Sequence, residues 1–334
     1  MKAHVVMGAV ALACSASAWA EVTVFGFIEA QVGRQTQDPP GTKLYDMGGS
    51  RLGFKGDEDL GGGMKASFYL EHRLDPTTGA DASFDAGNAD PAKGPLRNPS
   101  STFWKGGSWV GLSSEGLGSI KIGRWWSQSF LKAQYAADPF GMGTLGEGAY
   151  PTVGCGPAFR NGCLGAFWVN NSVSYENSMG PVSFGVQYSV EAVAPGGKHP
   201  ANVGVSYADG PLYVGAGIEV SNDGSKDERW SSLAANYDFG VAKLYAGYGT
   251  GQDAAKVSRK NTIFGVTAPV GQGQVIASYD VQNQNGVRVE QLLSLGYKYF
   301  LSKRTNVFAV IASDTKAPAG TNKSGYALGV FHSF

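Results

Sequence analysis

The feature that most constrains this chain is two-residue alternation, repeated in segments of about ten residues. In the first segment Val22, Val24, Ile28, Ala30 and Val32 share one face, and Glu29 and Gln31 lie on the other. Leu52 and Phe54 oppose Arg51, Lys55 and Asp57. Met64, Ala66, Phe68 and Leu70 oppose Lys65, Ser67, Glu71 and Arg73. Val182, Phe184, Val186, Tyr188 and Val190 oppose Ser183, Gln187, Ser189 and Glu191. The last segment carries Tyr326, Leu328, Val330 and Phe334 on one face. Successive side chains of a strand point to opposite sides, so each segment reads as a strand with one apolar and one polar face. Strands of a soluble sandwich also alternate. A sandwich, however, needs a larger apolar core than this chain can line, because the second face is small, polar or charged in strand after strand. A barrel inverts the pattern, apolar toward lipid and polar toward a wet lumen.

The connections alternate as well. Tight turns fall at Leu60-Gly61-Gly62-Gly63, Gly116-Leu117-Gly118, Gly180-Pro181, Asp209-Gly210-Pro211, Phe239-Gly240, Gly271-Gln272-Gly273 and Ser302-Lys303. Mostly longer, polar loops fall near 37–48, 75–101, 133–166, 195–201, 222–228, 252–259, 284–287 and 316–323. Seven turns interleaved with eight loops predict an all-β fold, a 16-stranded antiparallel transmembrane β-barrel with both termini on the periplasmic side. No helix-period segment interrupts the series. Aromatics near predicted strand ends (Phe25, Phe27, Trp125, Trp126, Trp168, Tyr297, Tyr299, Phe300 and Phe334) are expected to form interfacial girdles.

The first twenty residues stand apart. Lys2 precedes an apolar, small-residue run from Val5 to Ala20 that closes on Ala18-Trp19-Ala20. That pattern reads as a secretory signal peptide over 1–20, leaving 21–334 as the barrel domain in a Gram-negative outer membrane. Lipidation at Cys14 is the competing reading, but Leu12 sits one place late for a lipobox. Cys155 and Cys163 lie in a Gly/Pro-rich segment of an exported chain, which predicts a disulfide. A zinc site would need a third Cys or a nearby His, and neither is there. Lys plus Arg and Asp plus Glu balance at 27 each, which argues against nucleic acid as a partner.

Specific residues then resemble a family. Val22-Thr23-Val24-Phe25-Gly26-Phe27-Ile28-Glu29-Ala30 resembles the opening strand of the general outer-membrane porins of β-proteobacteria. Ser50-Arg51-Leu52-Gly53-Phe54-Lys55-Gly56, followed by Glu58-Asp59-Leu60-Gly61-Gly62-Gly63-Met64-Lys65-Ala66, is similar to their second strand, first turn and third strand. Trp109-Val110-Gly111-Leu112-Ser113, Ile122-Gly123-Arg124 and Leu301-Ser302-Lys303-Arg304-Thr305 resemble further strands and the last turn, and the terminal Phe334 resembles an assembly signal. The resemblance implies a homotrimer in contact with outer-membrane lipid and lipopolysaccharide, a third loop folded into the lumen, and passive diffusion of small hydrophilic solutes and ions. It calls for no cofactor. The chain departs from the family at Lys105-Gly106-Gly107, where paired arginines or Arg-Gln are common, and at Asp138-Pro139-Phe140-Gly141-Met142-Gly143, where an acidic Pro-Glu-Phe-Gly-Gly-like stretch is usual.

A pore needs a polar lumen, a constriction and a field across it. The third loop is the longest connection, and long loops are more often functional than idle. It is expected to present Asp138 and Glu147 opposite wall bases Arg51, Lys65, Arg73 and Arg124. Ile120 and Ile122 share the parity of Arg124 and should face lipid, so an inward Arg124 requires a bulge or a strand end. Wall bases outnumber loop acids, which favours anions. A hydrolase reading lacks support, because His72, His199 and His332 suggest no nucleophile–base pair. A substrate-selective channel with a saturable aromatic and basic lumen site is the main alternative, and a plugged structural barrel is the third.

Overall fold

In the computed structural model, which describes residues 21–81, 103–141, 155, 163–193 and 195–334, the alternating segments become one closed sheet. In chain order the strands are β1 (Glu21–Arg34), β2 (Lys43–Tyr45), β3 (Arg51–Gly61), β4 (Met64–Arg73), β5 (Ser108–Ser114), β6 (Gly118–Trp126), β7 (Trp168–Met179), β8 (Val182–Ser189), β9 (Ala201–Asp209), β10 (Leu212–Val220), β11 (Arg229–Asp238), β12 (Lys243–Gln252), β13 (Ser258–Val270), β14 (Gly273–Gln284), β15 (Val287–Phe300), β16 (Thr305–Asp314) and β17 (Ser324–Ser333). The three-residue β2 is an addition inside the first loop. The other sixteen form the wall, each antiparallel to its neighbours. Closure falls on β1, whose first half pairs with β3 (Glu21↔Asp57 to Phe27↔Arg51) and whose second half pairs with β17 (Phe27↔Ser333 to Arg34↔Tyr326). Every ladder is thereby paired on both sides, as a lipid-embedded backbone requires.

The burial pattern is inside-out relative to a soluble domain. Val22, Val24, Val110, Leu112, Ile122, Phe264, Leu293, Ile311 and Leu328 are exposed on the outer face, while among the described residues buried polar side chains outnumber buried apolar ones. No helix among the described residues is long and apolar enough to cross a membrane, and strands do the crossing.

Four expectations change. The third loop starts at 127, not 133, and carries helical turns at Phe130–Gln134 and Tyr135–Ala137, where no local structure was predicted. The connection predicted at 284–287 is a two-residue turn, Asn285-Gly286, with positive φ at both positions (49° and 80°), the geometry that closes hairpins tightly. The inner face is not uniformly polar, since Ile276, Leu292, Phe308, Val310, Ala312 and Ala327 form an apolar patch there around Phe140 of the third loop. Finally, six of the expected girdle aromatics turn inward, Phe300 among them, where it lines the lumen with Lys298. Phe25 and Phe27 share the parity of Glu29 and Gln31 and pack on Tyr69 and Phe331. Trp125, Trp126 and Trp168 pack on lumen-side Lys121 and Arg73. Tyr297 and Tyr299 keep the outward position, beside Leu44 and Leu328. Phe334 lays its ring over Gly26 and exchanges two backbone hydrogen bonds with it, pinning the chain end to the barrel seam.

Candidate lumen constriction

The outgoing arm of the third loop (127–141) can lie flat on the inner wall because that wall presents glycine where the arm passes. A Cβ at Gly185, Gly204, Gly215 or Gly217 would stand 2.0 Å from the Gln128 side-chain oxygen, 2.1 Å from the Gln128 carbonyl, 1.8 Å from the Lys132 carbonyl and 2.2 Å from Ser129 Oγ. Only a residue without a side chain permits such approach. Polar groups from the wall then satisfy the loop's backbone. Gln128 N–H donates to Asn202 (2.8 Å), Tyr213 O–H to the Lys132 carbonyl (2.8 Å), Asn236 to the Ala136 carbonyl (3.0 Å) and Lys298 Nζ to the Phe140 carbonyl (2.8 Å). Glu219 of β10 clamps both arms of the loop, accepting from Gln134 on the outgoing arm and from the Ala166 N–H on the returning one, with Asn222 as a third donor.

The returning arm is also held covalently. Cys155 and Cys163 are disulfide-bonded and buried with Phe130, Phe167 and Trp168. Closing a loop of this length stabilises the folded state by about 2–3 kcal/mol through lost unfolded-state entropy. Reduction, or Cys155→Ser with Cys163→Ser, is expected to lower thermal stability and raise open-channel noise. Identical noise before and after reduction would remove the bridge from any role in steadying the loop.

On the side away from the glycine track an open space of about 570 Å³ remains. Phe27, Glu29 and Arg51 bound it from β1 and β3, and Trp126, Phe130, Leu131, Tyr135 and Gly141 from the end of β6 and the loop. Gln274, Lys298, Phe300, Asn306, Phe308 and Phe331 bound it from β14–β17. Among the described residues its charged lining is Arg51 and Lys298 against Glu29. Arg51 donates to the Gly48 and Gly49 carbonyls and lies 3.7 Å from Glu71. Arg73, 4 % exposed, is bonded to Glu71 at 2.6 Å and stands over the Trp126 and Trp168 rings, which pack on each other. Gly106 makes this counterion possible, because a Cβ there would stand 2.0 Å from a Glu71 carboxylate oxygen. The Lys105-Gly106-Gly107 departure thus accommodates an acid that holds two arginines.

Arg124 does turn inward, and a bulge does it. The β6–β7 register shifts between Gly123 and Trp125. The guanidinium donates to the Lys105 and Gly106 carbonyls and to Asn170, and stands over Trp168. Lys65 is not brought to this group. It sits beside the 61–63 turn, lining a separate space of about 610 Å³ with Glu115, Lys132 and Glu176. Asp138 is 5 % exposed and accepts the Phe140 N–H, so it shapes the loop. Glu147 and Arg160 lie outside the described residues. Within the loop, burial holds Lys132 below its usual pKa, with Glu176 opposing and Lys121 reinforcing the shift.

Sequence reasoning missed Lys298, Phe27, Phe331 and Tyr135 as lining residues. Parity alone places Lys298 inward, between outward Tyr297 and Tyr299, whereas Tyr135 depends on the path of the loop. Among the described residues the histidines lie apart from this space, His72 on Phe103, His199 on Tyr188 and His332 at Thr305.

The family model described as Gram-negative porin matches residues 5–317. The chain is 26% identical to outer membrane porin protein 32 of Delftia acidovorans, over 100% of this chain and 99% of that protein. It is 27% identical to an outer membrane porin protein of Bordetella pertussis, over 88% and 89% of the two chains. Among solved structures, an anion-selective porin from Comamonas acidovorans superposes with a TM-score of 0.74 at 25% identity, covering 94% of this chain and all of that one. The trimer form of OmpT from Vibrio cholerae superposes at 0.65 with 15% identity, covering 94% and 99%, a likeness of fold alone.

Proposed function

The chain belongs to the Gram-negative porin family and resides in the outer membrane, and on that premise we propose that it is a homotrimeric, anion-preferring diffusion channel whose third loop forms the constriction. Residues 1–20 are its export signal and 21–334 the barrel. The observation that carries the reading is the passage beside the loop, with Arg51 and Lys298 set against Glu29 in its lining. Unlike charges across a narrow gap order water and favour small polar solutes, and an excess of bases biases the traffic toward anions. Arg73 and Arg124 contribute to the wall field from positions stacked on Trp168, and Lys65 adds to the potential at the turn-side mouth. Glu147 is the loop acid of the constriction, and buried Asp138 shapes the loop that carries it. The solved neighbour named as anion-selective supports the sign.

Reversal potential in a potassium chloride gradient tests the sign. The unmodified channel is expected on the anion side, and Arg51→Glu with Lys298→Glu is expected to cross to the cation side. A cation-side potential for the unmodified channel would overturn the anion preference. A folded trimer without ohmic steps would overturn the pore itself.

A further inference from the structure

We infer that the passage beside the third loop holds a weak, saturable site for aromatic carboxylates. The inference rests on the pore reading above and adds a solute class to it. Its starting point is a mismatch. A channel serving only small hydrophilic solutes needs polar walls, yet aromatic rings frame this one. Phe27 and Phe331 meet at 4.9 Å between centroids on the barrel side, and Phe130 and Tyr135 at 5.8 Å on the loop side. Tyr135 is 46% exposed and Phe300 41%, both lining the open space. Apolar ring surface left in a wet lumen is unfavourable unless a passing solute covers it.

The cations stand next to the rings. The Arg51 guanidinium carbon lies 4.2 Å from the Phe27 ring centroid, and Lys298 lines the same space. Glu29 is the acid there, and its carboxylate accepts from the Gly48 N–H and from Gln31. A planar solute with a ring and a carboxylate matches both features at once. The ring packs tilted or offset on its neighbours, and the carboxylate meets a guanidinium fork or an ammonium. A volume near 570 Å³ falls in the range of small-molecule sites. An aliphatic acid would use the cations and leave the rings bare. A neutral aromatic would cover the rings and forgo the charge. Weak binding is required, since a solute must leave to be transported.

The test is current block of the purified trimer in planar bilayers by benzoate, with acetate and benzyl alcohol at matched ionic strength as comparisons. Benzoate is expected to reduce the current saturably, with half-block at a concentration about tenfold below that of either comparison. In Phe27→Leu with Phe331→Leu, block measured against the variant's own open current is expected to weaken about fivefold. Ohmic steps with benzoate blocking no better than acetate would overturn the site and leave the pore standing. No ohmic steps would overturn both. The comparison of solutes on the unmodified channel decides the matter even where a variant does not fold.

Discussion

Gly215→Val is expected to lower single-channel conductance roughly twofold by pushing the third loop off the wall and into the passage. At this position the obstructing atoms are backbone: a Cβ would lie 1.8 Å from the Lys132 carbonyl oxygen and 3.1 Å from the Ala133 Cα. Backbone cannot swing aside as a side-chain end does, so the loop must lift. The space it lifts into is the one bounded by Arg51, Lys298 and the phenylalanines. Lifting also strains the bond from Tyr213 to the Lys132 carbonyl. Overpacking of this kind costs about 1–3 kcal/mol, an amount a fully laddered barrel tolerates without unfolding. Single-channel recording checks the expectation. An unchanged conductance would mean that the loop does not depend on this seat.

The second large effect is expected at Glu219→Ala. Glu219 is fully buried and accepts hydrogen bonds from Gln134, the Ala166 N–H and Asn222. Removing the carboxylate leaves the Ala166 N–H without its acceptor, at a cost of about 1–3 kcal/mol where water cannot replace it, while the Gln134 and Asn222 amides keep only their bonds to Ser129 and to the Leu164 carbonyl. Both arms of the loop lose their common anchor. The loop is expected to become sensitive to limited proteolysis and the open channel noisy, while the barrel, which pairs strand to strand, survives. Glu219→Gln keeps one acceptor oxygen and turns an amide against the donors, so it should fall between the two. Protease resistance equal to the unmodified protein would sink the clamp.

Both variants lie on β10, at positions that alternation marks only as inward. That states how far the sequence reaches. Gly215, Gly217 and Glu219 are legible as lumen residues from Val214, Ala216 and Ile218 between them. Nothing local says that a loop some eighty residues earlier rests on the first two and bonds to the third. Phe25 and Phe27 show the reverse case, because strict parity with Glu29 already places them inside and their nearness to a strand end suggested a girdle instead. Arg124 lay at the limit: its inward turn demanded a bulge, and Gly123, at φ 139°, supplies one.

By itself the sequence determined the closed antiparallel barrel, the number of its long strands and the lipid-facing stripe. These follow from a two-residue period and from turn spacing, which are properties of neighbours along the chain. Tertiary structure alone decided where the third loop lies, which base meets which acid, and what lines the passage. Those depend on contacts between residues such as Gln134 and Glu219 or Phe140 and Lys298, 85 and 158 positions apart. Contacts at such separation are fixed by closure of the sheet and by the fit of side chains across the lumen, which no local period records.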